Sequence, residues 1–318
     1  MTRARLTLVI CALLLAVYPL AVTSTFGQRV GVLVLLAALS GTAWNIVGGY
    51  AEQVSIGHAV FYGIGAYVPL LFYTHTKGNP VLMIPVAMAL AALVALCIGI
   101  PTFRLRGHYF SMATLALGEL FLLGVTITPA LGGASGLSGP VEQNPWELSL
   151  RSPVPYYYVF LVALALMIGL VAWLERNRVG YYLRAIQSSE RAARSLGVPV
   201  YRYKLIALMI SAACTALAGS FYALFVGFVN PDSVFGLLVS VQMVIVATLG
   251  GAGTLYGPLL GAAILIPTQE WANATFGGGG TGLSYVVYGA VIMLVTRFEP
   301  GGLLGLWNRL RFRAAASA

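Results

Sequence analysis

The chain has 318 residues, 59% hydrophobic and only 8% charged, with 18 basic against 9 acidic side chains. Soluble domains average about 25% charged residues, so most of this surface cannot face water, and a soluble enzyme or carrier is excluded. The formal charge of +9 comes without an aromatic-interleaved basic groove, which excludes a nucleic-acid partner; it fits the Lys and Arg excess on the cytoplasmic loops of a multispanning membrane protein.

Arg3 and Arg5 precede a continuous apolar run over residues 6–22. Secretory signals have apolar cores of about 7–15 residues, so this longer run predicts a retained first helix. Further spans follow near 30–47, 56–73, 80–100, 108–127, 156–174, 205–228, 236–250, 257–272 and 283–297, of which 236–250 and 257–272 are short. A bilayer needs about 20 apolar residues per helix, and the 37 glycines suit close helix approach. The expectation is an all-α polytopic membrane protein of about ten transmembrane helices, with both termini cytoplasmic and some helices broken at Gly-rich stretches. Alternating sides from a cytoplasmic N-terminus puts fifteen of the 18 basic residues inside and leaves only Arg29, Lys77 and Arg151 outside.

On the outer side, 128–155 is rich in Gly, Pro and Ser and reads as a surface loop. Its Trp146 marks the membrane interface or a docking surface, and Gly277–Gly280 reads as a turn. Cys11, Cys97 and Cys214 stand singly in apolar segments, a spacing that fits neither a disulfide framework nor a metal site.

Two Gly-interrupted stretches break the apolar pattern in opposite halves of the chain, 45–58 and 249–261. Non-helical backbone at membrane depth persists only where protein or a water-filled cavity satisfies it, and transporters build substrate sites from such breaks. Gly48, Gly49, Tyr50, Glu52, Gln53, Ser55, His58, Gly250, Gly251 and Gly253 are therefore substrate-pathway candidates. The alternative is a pair of ordinary cytoplasmic turns, with His58 a hydrogen-bonded packing residue. Glu119 lies within an apolar span, where an ionised carboxylate costs roughly 3 kcal/mol in lipid, so it faces the bundle interior, a partner or water. Ser111 and Thr114 extend a polar stripe toward it, and Thr114 and Glu119 join the substrate-pathway candidates; the alternative is that Glu119 pins two helices together.

No catalytic constellation is present. The three histidines sit in unrelated segments, there is no HExxH or nucleophile elbow, and no phosphate-binding loop surrounds either lysine. The chain is expected to be non-enzymatic, so any ATP that drives it is hydrolysed by another polypeptide.

The segment 175–204 holds nine of the 27 charged residues. Ser189 is placed to cap a short helix that starts at Glu190, carries Arg194 in its last turn and stops at Gly197 before Pro199. Gly180–Gln187 reads as a second helical turn with Leu183 and Ile186 on one face. Ala192, Ala193 and Leu196 are small or apolar enough to enter a partner's cleft. A joining loop needs only a few residues, so 175–204 reads as a coupling element gripped by a soluble partner. Attraction to anionic lipid heads is the alternative.

The stretches GYAEQVSIGHAVFYGIGAY, GIPTFRLRGHYFSMATLALGE, GYYLRAIQSSERAARSLGVPVYRYKLIALMIS, LGGAGTLYGPLLGA and RFEPGGLLGL together resemble the LivM-type permeases of bacterial branched-chain amino acid ABC importers. The resemblance implies a single transmembrane permease domain over 1–318 in the bacterial inner membrane, paired with a homologous LivH-type permease. It also implies two cytoplasmic ATPases that hydrolyse ATP with Mg, an extracytoplasmic solute-binding protein, and no cofactor on this chain. The family's coupling segment matches Gly180–Tyr203, which makes Arg184, Glu190, Arg191, Ala192, Ala193, Arg194 and Gly197 ATPase-coupling candidates; Arg191 departs from the family's EAA-type pattern. Glu52 stands where the family's stretch has glycine. Relatives of this kind also import urea, short amides and aromatic acids. A stand-alone channel or secondary transporter is the alternative of a different class.

Overall fold

The computed structural model describes residues 14–105, 107–140, 144–150 and 152–276, with positions 289, 293, 302 and 303 besides. The start of the first predicted span, Arg106, Arg151, the Gly277–Gly280 turn, most of span 283–297 and the C-terminal arginines lie outside the described residues. Helix α1 is described over residues 14–21. Then follow α2 (Thr25–Gly48), α3 (Ala59–Thr76), α4 (Ile84–Thr102), α5 (His108–Ile127), α6 (Pro153–Arg176), α7 (Arg178–Ser188), α8 (Glu190–Ser195), α9 (Val200–Val226), α10 (Pro231–Phe235), α11 (Leu237–Gly250) and α12 (Gly257–Phe276). A two-residue pairing, β1 (Leu137–Ser138) antiparallel to β2 (Phe228–Val229), is the one departure from an all-helical fold among the described residues.

Among the described residues, six helical segments are long and apolar enough to cross a membrane: α2, Pro80–Thr102, α5, α6, α9 and Pro231–Gly250. Helices α3 and α12 stand at two more predicted spans with 18 and 20 residues. The expected short span 257–272 is in fact a longer helix that runs to Phe276, because Ala272–Thr275 continue it without a glycine or proline stop. Span 236–250 is likewise longer. It starts at Pro231, held by a reciprocal Asn230–Ser233 capping box, and changes direction at Gly236. Phe235 just before the break packs where a Cβ on Gly63 would sit.

The helix ends gather at two poles. At one, Gln187 reaches Gly49, the Tyr201 hydroxyl donates to Ile100 O and the Gly253 N–H donates to Asn45. At the other, β1 and β2 tie the loop after α5 to the end of α9. Arg29 and Lys77 are the only described Lys or Arg at this second pole; the first is the basic pole.

Helix α2 is apolar on every face and buried along nearly its whole length, as a central helix must be. Its neighbours approach closely through small residues. A Cβ on Gly65 would lie 2.0 Å from Ala216 O, and one on Gly219 would lie 2.0 Å from Tyr62 O, so α3 and α9 meet backbone to backbone. Helices α4 and α5 are only 22% buried over their apolar windows, which leaves broad apolar faces for lipid or a partner.

Candidate functional site

The connection 49–58 leaves the basic-pole end of α2 and dips back between helices. The His58 Nε2 lies 2.9 Å from Ser211 Oγ, and that hydroxyl donates to Ala43 O at 2.6 Å. The turn therefore sits beside Ala43, five residues inside the end of α2. It is tied to α2, α5 and α11. Trp44 Nε1 donates to Ser55 O (2.8 Å), the Ile56 N–H to Thr114 Oγ1 (3.1 Å), Ser111 Oγ to Val54 O (2.6 Å) and the Ala59 N–H to Ser240 Oγ (2.8 Å). Irregular backbone inside a membrane protein survives only with such partners.

His58 is fully buried, pairs with Ser55 and Ser211, and stands edge-on to Trp44 and Phe61. The void beside Ser55, Gly57 and Thr114 is about 10 Å³, room for one water at most. Ser55, His58 and Thr114 thus clamp the turn in this conformation. The polar stripe also divides. Thr114 faces inward, whereas Glu119, five residues on, is turned by roughly 140° at 3.6 residues per turn and lies exposed on the outer face of α5. The chain's own interior is thereby excluded as the partner of Glu119.

The two Gly-rich stretches meet each other. Asn45 near the end of α2 accepts the Gly253 N–H on Oδ1 (2.8 Å) and donates from Nδ2 to Thr254 O (2.9 Å). A Cβ on Gly49 would lie 2.3 Å from Gly253 N. Gly250 and Gly251 bring the end of α11 against the start of α12, where a Cβ on Gly250 would lie 1.7 Å from Gly257 O. Gly48 is closed over by the Trp44 ring.

Both stretches also meet the basic segment. Gln187 on α7 donates from Nε2 to Gly49 O at 2.9 Å, and a Cβ on Gly253, at φ +74°, would lie 2.7 Å from the same nitrogen. The Tyr50 hydroxyl donates to Glu175 Oε1 (2.7 Å), and Glu175 Oε2 pairs with Arg184 at 3.2 Å. Three parts of the chain, the first of them more than a hundred residues before the other two, thus form one joint.

The basic segment folds as its punctuation predicts. Helix α7 buries Gly180, Leu183 and Ile186, and Ser189 Oγ accepts the Ala192 N–H at the start of α8. Arg184, Arg191, Ala192, Arg194 and Gly197 are exposed, while Ala193 is buried. The apolar trio is therefore split: Ala193 packs against the chain and Ala192 and Leu196 face out, as the 100° step between neighbouring helical residues requires. Glu190 bridges Arg194 (2.5 Å) and the buried Lys204 (2.6 Å), pinning α8 to the first turn of α9. Burial works to raise the Glu190 carboxyl, but Lys204 and Arg194 outweigh it and hold it below the usual carboxylate range.

Glu52 and Gln53 lie at the rim of the joint, exposed and half-buried. Glu52 has φ +55°, a left-handed conformation that glycine takes without a steric cost. A glutamate here is therefore a backbone mismatch on a solvated turn. Glu52→Gly is expected to leave thermal stability unchanged or raise it by up to about 1 kcal/mol, whereas Glu52→Val lowers it by about 1–2 kcal/mol, both read from the melting temperature of the purified protein.

Several residues of the joint gave no signal in the sequence as site residues: Asn45, Gln187, Ser211 and Ser240. A second carboxylate inside a predicted span, Glu270 on α12, was legible by the same cue as Glu119.

The family described as branched-chain amino acid transport system / permease component matches residues 23–296. The chain is 28% identical over 299 residues to the high-affinity branched-chain amino acid transport system permease protein LivM of Escherichia coli K12, covering 86% of this chain and 69% of that one. It is 24% identical over 288 residues to BraD of Pseudomonas aeruginosa, a permease of the same description, covering 84% and 91%. It is 23% identical over 288 residues to the high-affinity branched-chain amino acid transport system permease protein LivH of Escherichia coli K12, with the same coverage. No solved structure gives a significant match. The chain is a multi-pass membrane protein that belongs to the family of permease components of branched-chain amino acid transport systems.

Proposed function

We propose that the chain is the LivM-type half of the pore in an ATP-driven importer of the bacterial inner membrane, passing branched-chain or related amino acids inward. It forms one permease domain over 1–318 and pairs with a LivH-type permease. Two ATPases dock at the basic pole, in the cytoplasm, and hydrolyse ATP with Mg; an extracytoplasmic binding protein delivers solute at the opposite pole. This chain holds no cofactor.

The observation that carries the reading is the joint. A segment that only crossed between spans would have no reason to hydrogen-bond to both Gly-rich turns through Gln187 and to α9 through Glu190. Closure of the ATPases on α7 and α8 would push on α2, α9 and the α11–α12 turn together, a rigid-body route between outward and inward access. The exposed surfaces of Tyr181, Arg191, Ala192 and Leu196 form the docking face.

The Glu119 face of α5, which also exposes Met112, Leu120 and Leu123, is the one we assign to the partner permease and the water-filled path between the halves, since lipid would penalise the carboxylate by roughly 3 kcal/mol. Glu119→Gln is expected to block assembly of the two permeases or to cut transport at least about tenfold, a loss worth about 1.4 kcal/mol. Normal assembly and normal uptake would place Glu119 outside the pathway. The function itself is tested by purifying the tagged chain from its source. Co-purification of ATPases and a second permease, with ATP turnover stimulated by loaded binding protein, supports it; solute flux through the chain alone on an ion gradient would sink it.

A further inference from the structure

A crevice separate from the joint opens between α2, α3, α9, α11 and α12, with an internal volume of about 100 Å³. It lies in the half of the chain away from the basic pole: Tyr222 is four residues before the end of α9, and Leu33 is eight residues past the start of α2. Its lining is polar at Glu270, Gln269, Gln242, Tyr62 and Tyr222, the two tyrosine rings having centroids 5.7 Å apart, and aliphatic at Leu33, Met243 and Ile266. Gln242 Nε2 and Gln269 Oε1 are 3.5 Å apart, a separation too long for a strong bond, so both amides keep capacity for another partner. Among the described residues no Lys or Arg forms an ion pair with Glu270. Arg29 stands one helical turn before Leu33 and within electrostatic reach of Tyr222.

We propose that this crevice is an intramembrane subsite for a zwitterionic solute with an aliphatic side chain, its ammonium group held by Glu270 with Gln269 and Gln242. The arrangement matches the solute part by part. A carboxylate with two adjacent carbonyl oxygens supplies acceptors to the three N–H donors of an ammonium group. The aliphatic lining residues cover a branched hydrocarbon tail, and Arg29, one helical turn before Leu33, supplies the counter-charge for the solute carboxylate. A carboxylate within a span is costly, and an ammonium ligand offsets that cost while it is bound. The proposal rests on the reading of the chain as an amino acid permease and names where within it the solute is held.

The test is equilibrium binding of radiolabelled leucine to the assembled permease–ATPase complex without its binding protein. Loss of a charge-assisted contact is expected to weaken binding by about tenfold or more in Glu270→Gln, with partial recovery in Glu270→Asp. Isoamylamine, which keeps the ammonium and the branched tail, should compete in the wild type and lose its effect in Glu270→Gln. Should Glu270→Gln fail to assemble, Gln269→Ala carries the same test, with weaker leucine binding expected. Equal leucine affinity in wild type and the assembled variant would overturn the subsite while leaving the importer reading intact. A wild-type complex whose ATP turnover responds to no amino acid-loaded binding protein would overturn the importer reading itself.

Discussion

Replacing Glu190 by alanine is expected to detach α8 from α9 and to abolish most of the ATP turnover stimulated by loaded binding protein. The substitution strands the Lys204 ammonium, whose side chain is only 8% exposed, without its 2.6 Å partner. Breaking a fully buried pair costs about 3–5 kcal/mol; Glu190 itself is partly solvated, so a local loss of about 2 kcal/mol is the better expectation. Limited proteolysis between residues 188 and 199 should accelerate accordingly. The double replacement Glu190→Ala, Lys204→Met removes both charges and should restore protection, since an apolar pair replaces a buried ion pair at little cost. Protection unchanged in the single variant would show that α8 is held by other means.

The same carboxylate sets a pH dependence. Its pKa in the folded chain lies below the ordinary carboxylate value, so the unfolded segment binds the proton more readily. The stabilisation from Glu190 is therefore fully present above the unfolded carboxylate pKa, near 4.3, and is lost as pH falls through the lower folded value. Proteolytic protection of α8 should hold from neutrality to about pH 5, then decline in the wild type and stay flat in the double variant.

Gly49→Ala is expected to open the joint with a single methyl group. Its Cβ would lie 2.0 Å from Asn45 Oδ1 and 2.3 Å from Gly253 N, and backbone on one side leaves little room to yield. The added carbon must part the two Gly-rich turns, breaking the Asn45–Gly253 bond and displacing Gln187 from Gly49 O. Overpacking costs about 1–3 kcal/mol and each buried hydrogen bond about 1 kcal/mol more, so a loss of roughly 3 kcal/mol follows, with transport abolished. The melting temperature and uptake of the reconstituted complex check both. Wild-type uptake in Gly49→Ala would mean that contact between the turns is dispensable.

The spans were legible because an apolar run of bilayer length has few other uses, and Ser189, Glu190, Gly197 and Pro199 announced α8 residue by residue. Its docking face was half legible. The trio Ala192, Ala193 and Leu196 looked alike in sequence, and only the packing of α8 decides that Ala193 turns inward. The joint was not legible, for a physical reason. Asn45 meets Thr254, and Tyr50 meets Glu175, across 209 and 125 residues of chain, and no local pattern encodes a partner so distant. His58 drew attention as a rare polar residue in an apolar chain, yet its two serines satisfy it completely. Glu119 drew attention for the same reason and lies on the outer face, unserved by the chain's own interior. A polar residue inside a span thus marks a constraint, and only its surroundings say whether that constraint is packing or passage.

The most direct measurement is the number of amino acid molecules imported per ATP hydrolysed by the reconstituted importer carrying Gln187→Ala. This change removes the one side chain that touches both Gly-rich turns from the coupling segment and leaves the exposed docking face intact. ATP turnover should persist while import falls by about tenfold or more, so the ratio collapses. An unchanged ratio would contradict transmission through the joint and return 175–204 to the status of a basic tether.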